Sequence, residues 1–350
     1  MSRIILFCLA VSISGFTLLP ETSPLTAAEP YYKGKTIRIL VSSSPGGGTD
    51  SAGRLVARFL PKYLPGEPDI IIQNMPGGGG VVANNYFNSE AKPDGLTILQ
   101  DSTSTVNNFV RGGDRVKYDP RKYKVIAGLS RLGSLFVIRN AVRERLTNRK
   151  AEPVVVGDSD GSRGWLAILL WGAEYIDWNV RFVYGYPGTG ELVLALRQGE
   201  IDVWATGNTK LVKDLIRDDV VSVFATEEEE RREDFPEVPT FLELLGNKQP
   251  TGVSWQAYQN FLGSPDLDKF IFAPEGTPDN LVALLKEGVS KTLKNPEVKK
   301  QGDRFFGAGW KSHSGEKIAK LIRENIEVPK EAKEFIRKMR KKYNLPLGDT

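Results

Sequence analysis

The run Thr36-Ile37-Arg38-Ile39-Leu40-Val41, followed at once by Ser42-Ser43-Ser44-Pro45-Gly46-Gly47-Gly48-Thr49-Asp50, decides the fold. Six residues rich in β-branched and aliphatic side chains, stopped by small residues, are too short for a helix and read as a buried strand. The serines and glycines behind them form a loop, and apolar residues recur at helical spacing from about residue 51 to 63. Strand, glycine loop and helix make one α/β unit.

The same alternation extends outward. Residues 69–73 read as a second strand, residues 77–80 open a helix through Val82, Ala83 and Phe87, and residues 97–100 give a third strand. Strands separated by helices imply a largely parallel sheet with crossover connections. After an irregular stretch at 103–124, strands are expected at 135–139 and 153–157. The second of these feeds another small-residue loop, Asp158-Ser159-Asp160-Gly161-Ser162, and an apolar helix over 165–171. The unit therefore occurs twice, and strands at 180–184, 202–205 and 220–225 with a helix at 191–198 complete a second lobe. Beyond a charged and proline-punctuated stretch, a strand at 269–273 and helices from 279, 315 and 330 return the chain to the first lobe.

The expected organisation is a signal peptide at 1–28, lobe one at 29–126 and 227–350, and lobe two at 127–226, joined by a hinge of at least two strands. The fold class is α/β, a two-lobed periplasmic-binding-protein-like fold in which each lobe is a mixed sheet flanked by helices. The signal reading rests on Arg3, the apolar stretch 4–19 and the small-residue exit Leu25-Thr26-Ala27-Ala28, with cleavage expected after Ala28.

Composition narrows the chemistry. Cys8 lies inside the expected signal, so the mature chain has no thiol for a disulfide or thiolate metal site. A single histidine, His313, sits in a Lys-Ser-His-Ser-Gly run and reads as a surface turn residue, which leaves no Ser-His-Asp triad and no multi-histidine zinc site. The net charge of +4 is spread along the chain, with one basic cluster at 337–342 that reads as a solvated helix end, so no nucleic-acid partner is expected. No cofactor, metal or catalytic residue is expected either.

The loop at 43–50 has two readings. Glycines after a strand allow close approach of a ligand, and the helix that follows offers free N–H groups and the positive end of its dipole to a carboxylate or phosphate. The plain alternative is a turn with Thr49 or Asp50 as helix cap; for the Asp50 carboxylate itself, capping outweighs ligand contact. No Gly-Lys-Ser/Thr follows, so it is not a P-loop, and Ser51 stands where a dinucleotide fingerprint needs glycine. Asn74-Met75-Pro76-Gly77-Gly78-Gly79-Gly80 reads first as a flexible helix entry. In the second lobe Gly161, Ser162 and Arg163 offer opposing donors, Arg163 by its fork geometry. Trp165 and Trp171 read as core, with at most one facing a cleft.

These residues together resemble the tripartite tricarboxylate transporter substrate-binding proteins, the Bug family. The resemblance rests on Gly-Gly-Gly-Thr-Asp at 46–50, Asn-Met-Pro-Gly-Gly-Gly-Gly at 74–80 and Lys-Pro-Asp-Gly-Leu-Thr at 92–97. Tyr186-Pro187-Gly188, Gly199-Glu200-Ile201-Asp202, Pro236-Glu237-Val238-Pro239-Thr240, Ala273-Pro274-Glu275-Gly276-Thr277-Pro278 and Asn295-Pro296-Glu297-Val298 continue it in order. It implies a monomeric periplasmic protein that closes on a small organic acid and hands it to a membrane transporter with one large and one small subunit. It further implies a ligand held between the loops at 43–50 and 157–163. The residues carried over are Ser44, Gly46, Gly47, Thr49, Asp50, Gly161, Ser162 and Asn208, with Thr103 and Tyr186 nearby and Ser43 and Pro45 in the same loop. Ser42-Ser43-Ser44-Pro45 replaces the family's usual Pro-Phe-Pro-Ala, which exchanges an aromatic wall for hydroxyls and implies a more polar ligand. A sensory binding protein uses the same clamp; a secreted enzyme using Asp50 and Asp158 would lack a histidine, thiol or metal set.

Overall fold

The computed structural model describes residues 29–347, so the expected signal peptide and its cleavage point lie outside the described residues. The first unit forms as its sequence dictates. Strand β1 (Thr36–Val41) is apolar and buried, and helix α1 (Gly48–Phe59) follows. The helix begins three residues before the expected start, because Gly48 and Thr49 already turn helically. It gives way to a 3₁₀ turn at Leu60–Tyr63, where Pro61 has no N–H to continue the ladder. Strand β2 (Asp69–Asn74), helix α2 (Val81–Glu90), strand β3 (Thr97–Ser102), helix α3 (Thr103–Arg111) and strand β4 (Lys124–Ser130) complete the first passage.

The chain then builds the second lobe from β5 (Leu135–Arg139), β6 (Val154–Asp158), α4 (Leu166–Tyr175), β7 (Val180–Tyr184) and α5 (Thr189–Gln198). It continues through β8 (Val203–Thr206), α6 (Thr209–Arg217), β9 (Val221–Thr226), α7 (Phe241–Leu245) and α8 (Gly252–Leu262). The last elements are β10 (Lys269–Ala273), α9 (Asp279–Lys294), α10 (Pro296–Phe306), β11 (Lys311–Ser314), α11 (Gly315–Ile326) and α12 (Lys330–Lys342).

Two mixed sheets result, with strand orders β11-β4-β10-β3-β1-β2 and β7-β6-β8-β5-β9. In the first, β1 runs parallel to β2 and β3, while β10 enters antiparallel between β3 and β4. In the second, β6 is parallel to β7 and β8, and β5 is antiparallel to β8 and β9. Each lobe thus has the mixed sheet expected of it: the crossover units pair in parallel, and strands supplied by returning chain enter from the opposite direction.

The lobe boundaries also shift. Residues 127–130, expected in lobe two, lie in β4 and pair with β10 and β11 of the first sheet. Conversely Phe241, Leu245, Ala257, Tyr258 and Phe261, expected in lobe one, are buried in the second lobe's core, as are Ala332 and Met339 of α12. The aromatic side chains of α7 and α8 cover helix α4, apolar from Leu166 to Ala173, where Trp171 meets Tyr258 at 5.6 Å. Chain therefore crosses between sheets after Ser130, before Lys269 and between α11 and α12. His313 is not in a surface turn: it lies on β11, its imidazole Nε2 is 2.8 Å from Ser130 Oγ and 3.4 Å from Asp266, and burial depresses its pKa.

Candidate functional site

The carboxyl ends of β1 and β6 face each other across the gap between the sheets, so the loops that follow them form opposite walls. The first wall is braced from behind by Asp50, only 2% exposed. Its carboxylate accepts from the Gly46 N–H, Arg54 Nε and Asn74 Nδ2, each at 2.8 Å. Burial alone would raise this carboxyl, but the hydrogen bonds from Arg54, Asn74 and Gly46 outweigh it and hold it below the ordinary range. Asp50 is neither helix cap nor cleft lining, since the cap position is Gly47 and carries no side-chain cap bond. Gly46 turns back toward Asp50 at a φ of +82°, a conformation that favours glycine. The bracing aims the opening N–H groups of α1 into the cleft, where, as at any helix start, they lack intrahelical acceptors.

The opposite wall is built differently. Asp158, buried, accepts from the Gly161 N–H at 2.8 Å, and Arg163 Nε lies 3.0 Å from its other oxygen at an angle that satisfies neither atom as a hydrogen bond. Burial pushes the Asp158 carboxyl up, with Arg163 opposing and Asp160 reinforcing the rise. From behind, buried Arg340 of α12 donates to the Gly161 carbonyl at 2.8 Å, and its guanidinium lies 5.4 Å from the Phe261 ring. Asn107 Nδ2 of α3 reaches the Ser162 carbonyl at 2.9 Å. Gly161 and Ser162 are therefore held from the rear and do not line the cleft.

Between the walls is a cavity of about 400 Å³, lined from both lobes. Of the residues expected from sequence, Ser43, Ser44, Gly47, Thr49, Arg163 and Tyr186 line it. Pro45 and Gly46 are exposed on the outer side of the loop. Thr103 turns its hydroxyl to the Leu267 carbonyl and borders a smaller adjoining recess. Asn208 caps α6, accepting from the Leu211 N–H at 3.1 Å, because an amide before a helix meets the orphan donors of its first turn. The mouth is narrow: Ser44 Oγ donates to the Pro187 carbonyl at 3.0 Å across the lobes. Gly77 to Gly80 also line the cavity, and a Cβ on Gly79 would collide with the Asp160 carboxylate of the other lobe.

The floor holds the two residues most clearly missed from sequence, Arg131 and Lys269. Both flank strand ends where chain crosses between lobes. Arg131 binds Asp268 through Nε at 2.6 Å and Nη2 at 2.9 Å, while Lys269 pairs with the same carboxylate. Its third nitrogen, Nη1, lies beside Gly48, only 2.9 Å from where a Cβ there would sit, and has no acceptor among the described residues. Burial lowers Lys269 to about 8, with Asp268 opposing, while Arg131 and Lys269 overcome burial to hold Asp268 well below the usual carboxylate range. Asp268 occupies two faces of this cluster and leaves a third toward the cavity, next to the start of α1. A guanidinium edge, a buried ammonium and a helix N-terminus converge there, which is a geometry for an anion. A lysine at the head of an otherwise apolar strand, Lys269-Phe270-Ile271-Phe272-Ala273, was the one sequence signal for it. Trp165 and Trp204 also face the cavity, while Trp171 is core.

Comparisons with known proteins agree with this architecture. The family model for the tripartite tricarboxylate transporter family receptor matches residues 54–340, well over half the chain. Protein BugT of Bordetella pertussis is 27% identical over 279 residues, covering 76% of this chain and 79% of that protein. Among solved structures, the periplasmic binding protein BugD superposes with a TM-score of 0.70 at 18% identity, covering 90% of this chain and 99% of that one. MatC from Rhodopseudomonas palustris, solved with bound malate, gives 0.65 at 23% identity, covering 83% and 96%. Both structures share the fold.

Proposed function

This chain belongs to the tripartite tricarboxylate transporter receptor family, a family of substrate receptors and not of enzymes, and from that premise we propose that it captures a small organic anion, a carboxylate, between its lobes. The observation that carries the reading is the convergence of Arg131 Nη1, Lys269 and the first N–H groups of α1 on one edge of a cavity lined by both lobes. A carboxylate there accepts a charge-assisted bond from Arg131 without displacing Asp268, because Asp268 uses the other two guanidinium nitrogens. Closure brings Arg163 and Tyr186 from the second lobe against the ligand, and the Ser44 to Pro187 contact seals the mouth. Malate bound to MatC is a small carboxylate of the size the cavity accepts. In this reading the protein is exported to the periplasm, acts as a monomer and delivers its ligand to the large and small membrane subunits of a tripartite transporter. The ligand-binding set is Ser43, Ser44, Gly47, Thr49, Arg163 and Tyr186, extended by Arg131 and Lys269.

Thermal unfolding of the purified protein against a panel of mono-, di- and tricarboxylates, aromatic acids and amino acids tests it. At least one carboxylate raises the melting temperature at millimolar concentration, by the mass action of ligand binding to the folded state only. A panel in which no acid shifts the transition overturns the reading.

A further inference from the structure

Besides the cations Arg131, Lys269 and Arg163, the cavity lining is rich in hydroxyls from both lobes. Six serine and threonine hydroxyls of that lining have no acceptor among the described residues: Thr49, Ser102 and Ser104 from the first lobe, and Ser159, Thr189 and Thr206 from the second. Thr206 Oγ1 accepts from the Asn208 N–H at 3.1 Å, which leaves its own proton uncommitted. Other cavity serines are occupied: Ser42 donates to Asp101 at 2.6 Å, and Ser44 closes the mouth. The uncommitted set is thus divided evenly between lobes and confined to the region between them. Each member both donates and accepts, so the set matches groups that do likewise. Trp165 and Trp204, on the same cavity, add flat apolar faces with a polar edge.

An unsubstituted aliphatic chain would desolvate these hydroxyls without replacing their hydrogen bonds. A chain bearing hydroxyls would satisfy them from both sides as the lobes close, while its C–H faces meet the indoles. We infer that the ligand class is a polyhydroxylated carboxylate, a sugar acid, with its carboxylate at Arg131 and Lys269 and its hydroxyls against the six side chains. The inference rests on the anion reading of the same cavity and goes beyond it by fixing the chemistry of the carbon skeleton. A site built to bond ligand hydroxyls rejects the analogue that lacks them, since its polar groups are then left unpaired.

Matched acids separate the two claims. Galactarate and adipate have the same six-carbon dicarboxylate skeleton and differ in hydroxylation, and gluconate and hexanoate do the same for a monocarboxylate. Calorimetric titration of the full mature chain is expected to find the hydroxylated member of at least one pair bound about 100-fold or more tighter than its partner, within the range of discrimination by lost hydrogen bonds. The double variant S104A/S159A then narrows that ratio by about tenfold or more, as loss of two neutral hydrogen bonds implies, with the unliganded melting temperature reporting that the fold survives. A purely structural role for the serines would weaken both members alike and leave the ratio unchanged, which overturns the inference. Equal or reversed preference in both pairs also overturns it while leaving the anion reading intact. Failure of all four acids overturns it as well, and the wider panel above then decides whether the anion reading falls with it.

Discussion

The loops after β1 and β6 are read alike from sequence, yet they do opposite work. After β1, a buried aspartate in the first turn of α1 has three donors, and the loop is braced from within so that the first N–H groups of α1 open on the cleft. After β6, a buried aspartate at the end of the strand itself, with no place in α4, has an imperfect partner, and the loop is held from outside by Arg340 and Asn107. A strand, small-residue loop and helix thus specify a place for a site and not the groups presented there. Those depend on what braces the loop, and the braces come from remote sequence: Arg340 lies 179 positions from Gly161.

The comparison breaks most readily at the outside brace. Replacing Arg340 by alanine is expected to cost about 3 kcal/mol, since buried hydrogen bonds from a charged donor and the contact with Phe261 are lost together. Urea unfolding measures it, and ligand affinity falls with it because the loop at 158–163 loosens. The two aspartates should then respond with opposite signs. Asp50→Asn removes a satisfied, depressed carboxylate and is expected to destabilise by about 2 kcal/mol at pH 7. Asp50 stabilises above its unfolded pKa and loses that contribution as pH falls through its lower folded pKa, so the cost of the variant shrinks in acid. Asp158→Asn is expected to stabilise by about 1 kcal/mol at neutral pH, because the ionised form is disfavoured by burial. The stabilisation from protonated Asp158 is complete below its unfolded pKa and is lost as pH rises through its raised folded value, so the advantage of the variant grows from pH 4 to pH 7. Parallel urea titrations at both pH values check the pair.

The smallest expected effect concerns the floor. Lys269, lowered to about 8, loses its charge as pH rises through that value. Ligand affinity should therefore decline a few-fold between pH 7 and 9. Protein stability moves the other way in that window, because the unfolded lysine binds its proton more tightly than the folded one.

Much of the scaffold was legible because its signals are local. β1, β2, β3, β6 and β10 are short apolar runs bounded by glycine, proline or serine, and their positions follow from that pattern. The stretch taken as irregular contains α3, whose Thr103-Ser104-Thr105-Val106-Asn107-Asn108 start has too few apolar residues to stand out, and runs up to the start of β4. The membership of α7, α8 and α12 in the second lobe was not legible, because amphipathic helices do not announce which sheet they cover. Around the cavity, the lining residues Ser43, Ser44, Gly47 and Thr49 lie in the first motif, which the motif and the resemblance together single out. Arg131 and Lys269 acquire their meaning from Asp268 and Gly48, and Arg131 meets Asp268 across 137 positions. Asn208 caps α6 with its side-chain oxygen and stands outside the cavity lining, a role that a residue ahead of a helix takes as readily as a ligand contact.

The central claim is that the ligand's carboxylate sits where Arg131, Lys269 and the start of α1 converge. A crystal structure of the protein with the tightest acid from the panel tests it most directly. A carboxylate is expected within hydrogen-bonding distance of Arg131 Nη1 and of the Gly48 or Thr49 N–H. An acid bound in the cleft with its carboxylate elsewhere, and only water against Arg131 Nη1, would contradict it.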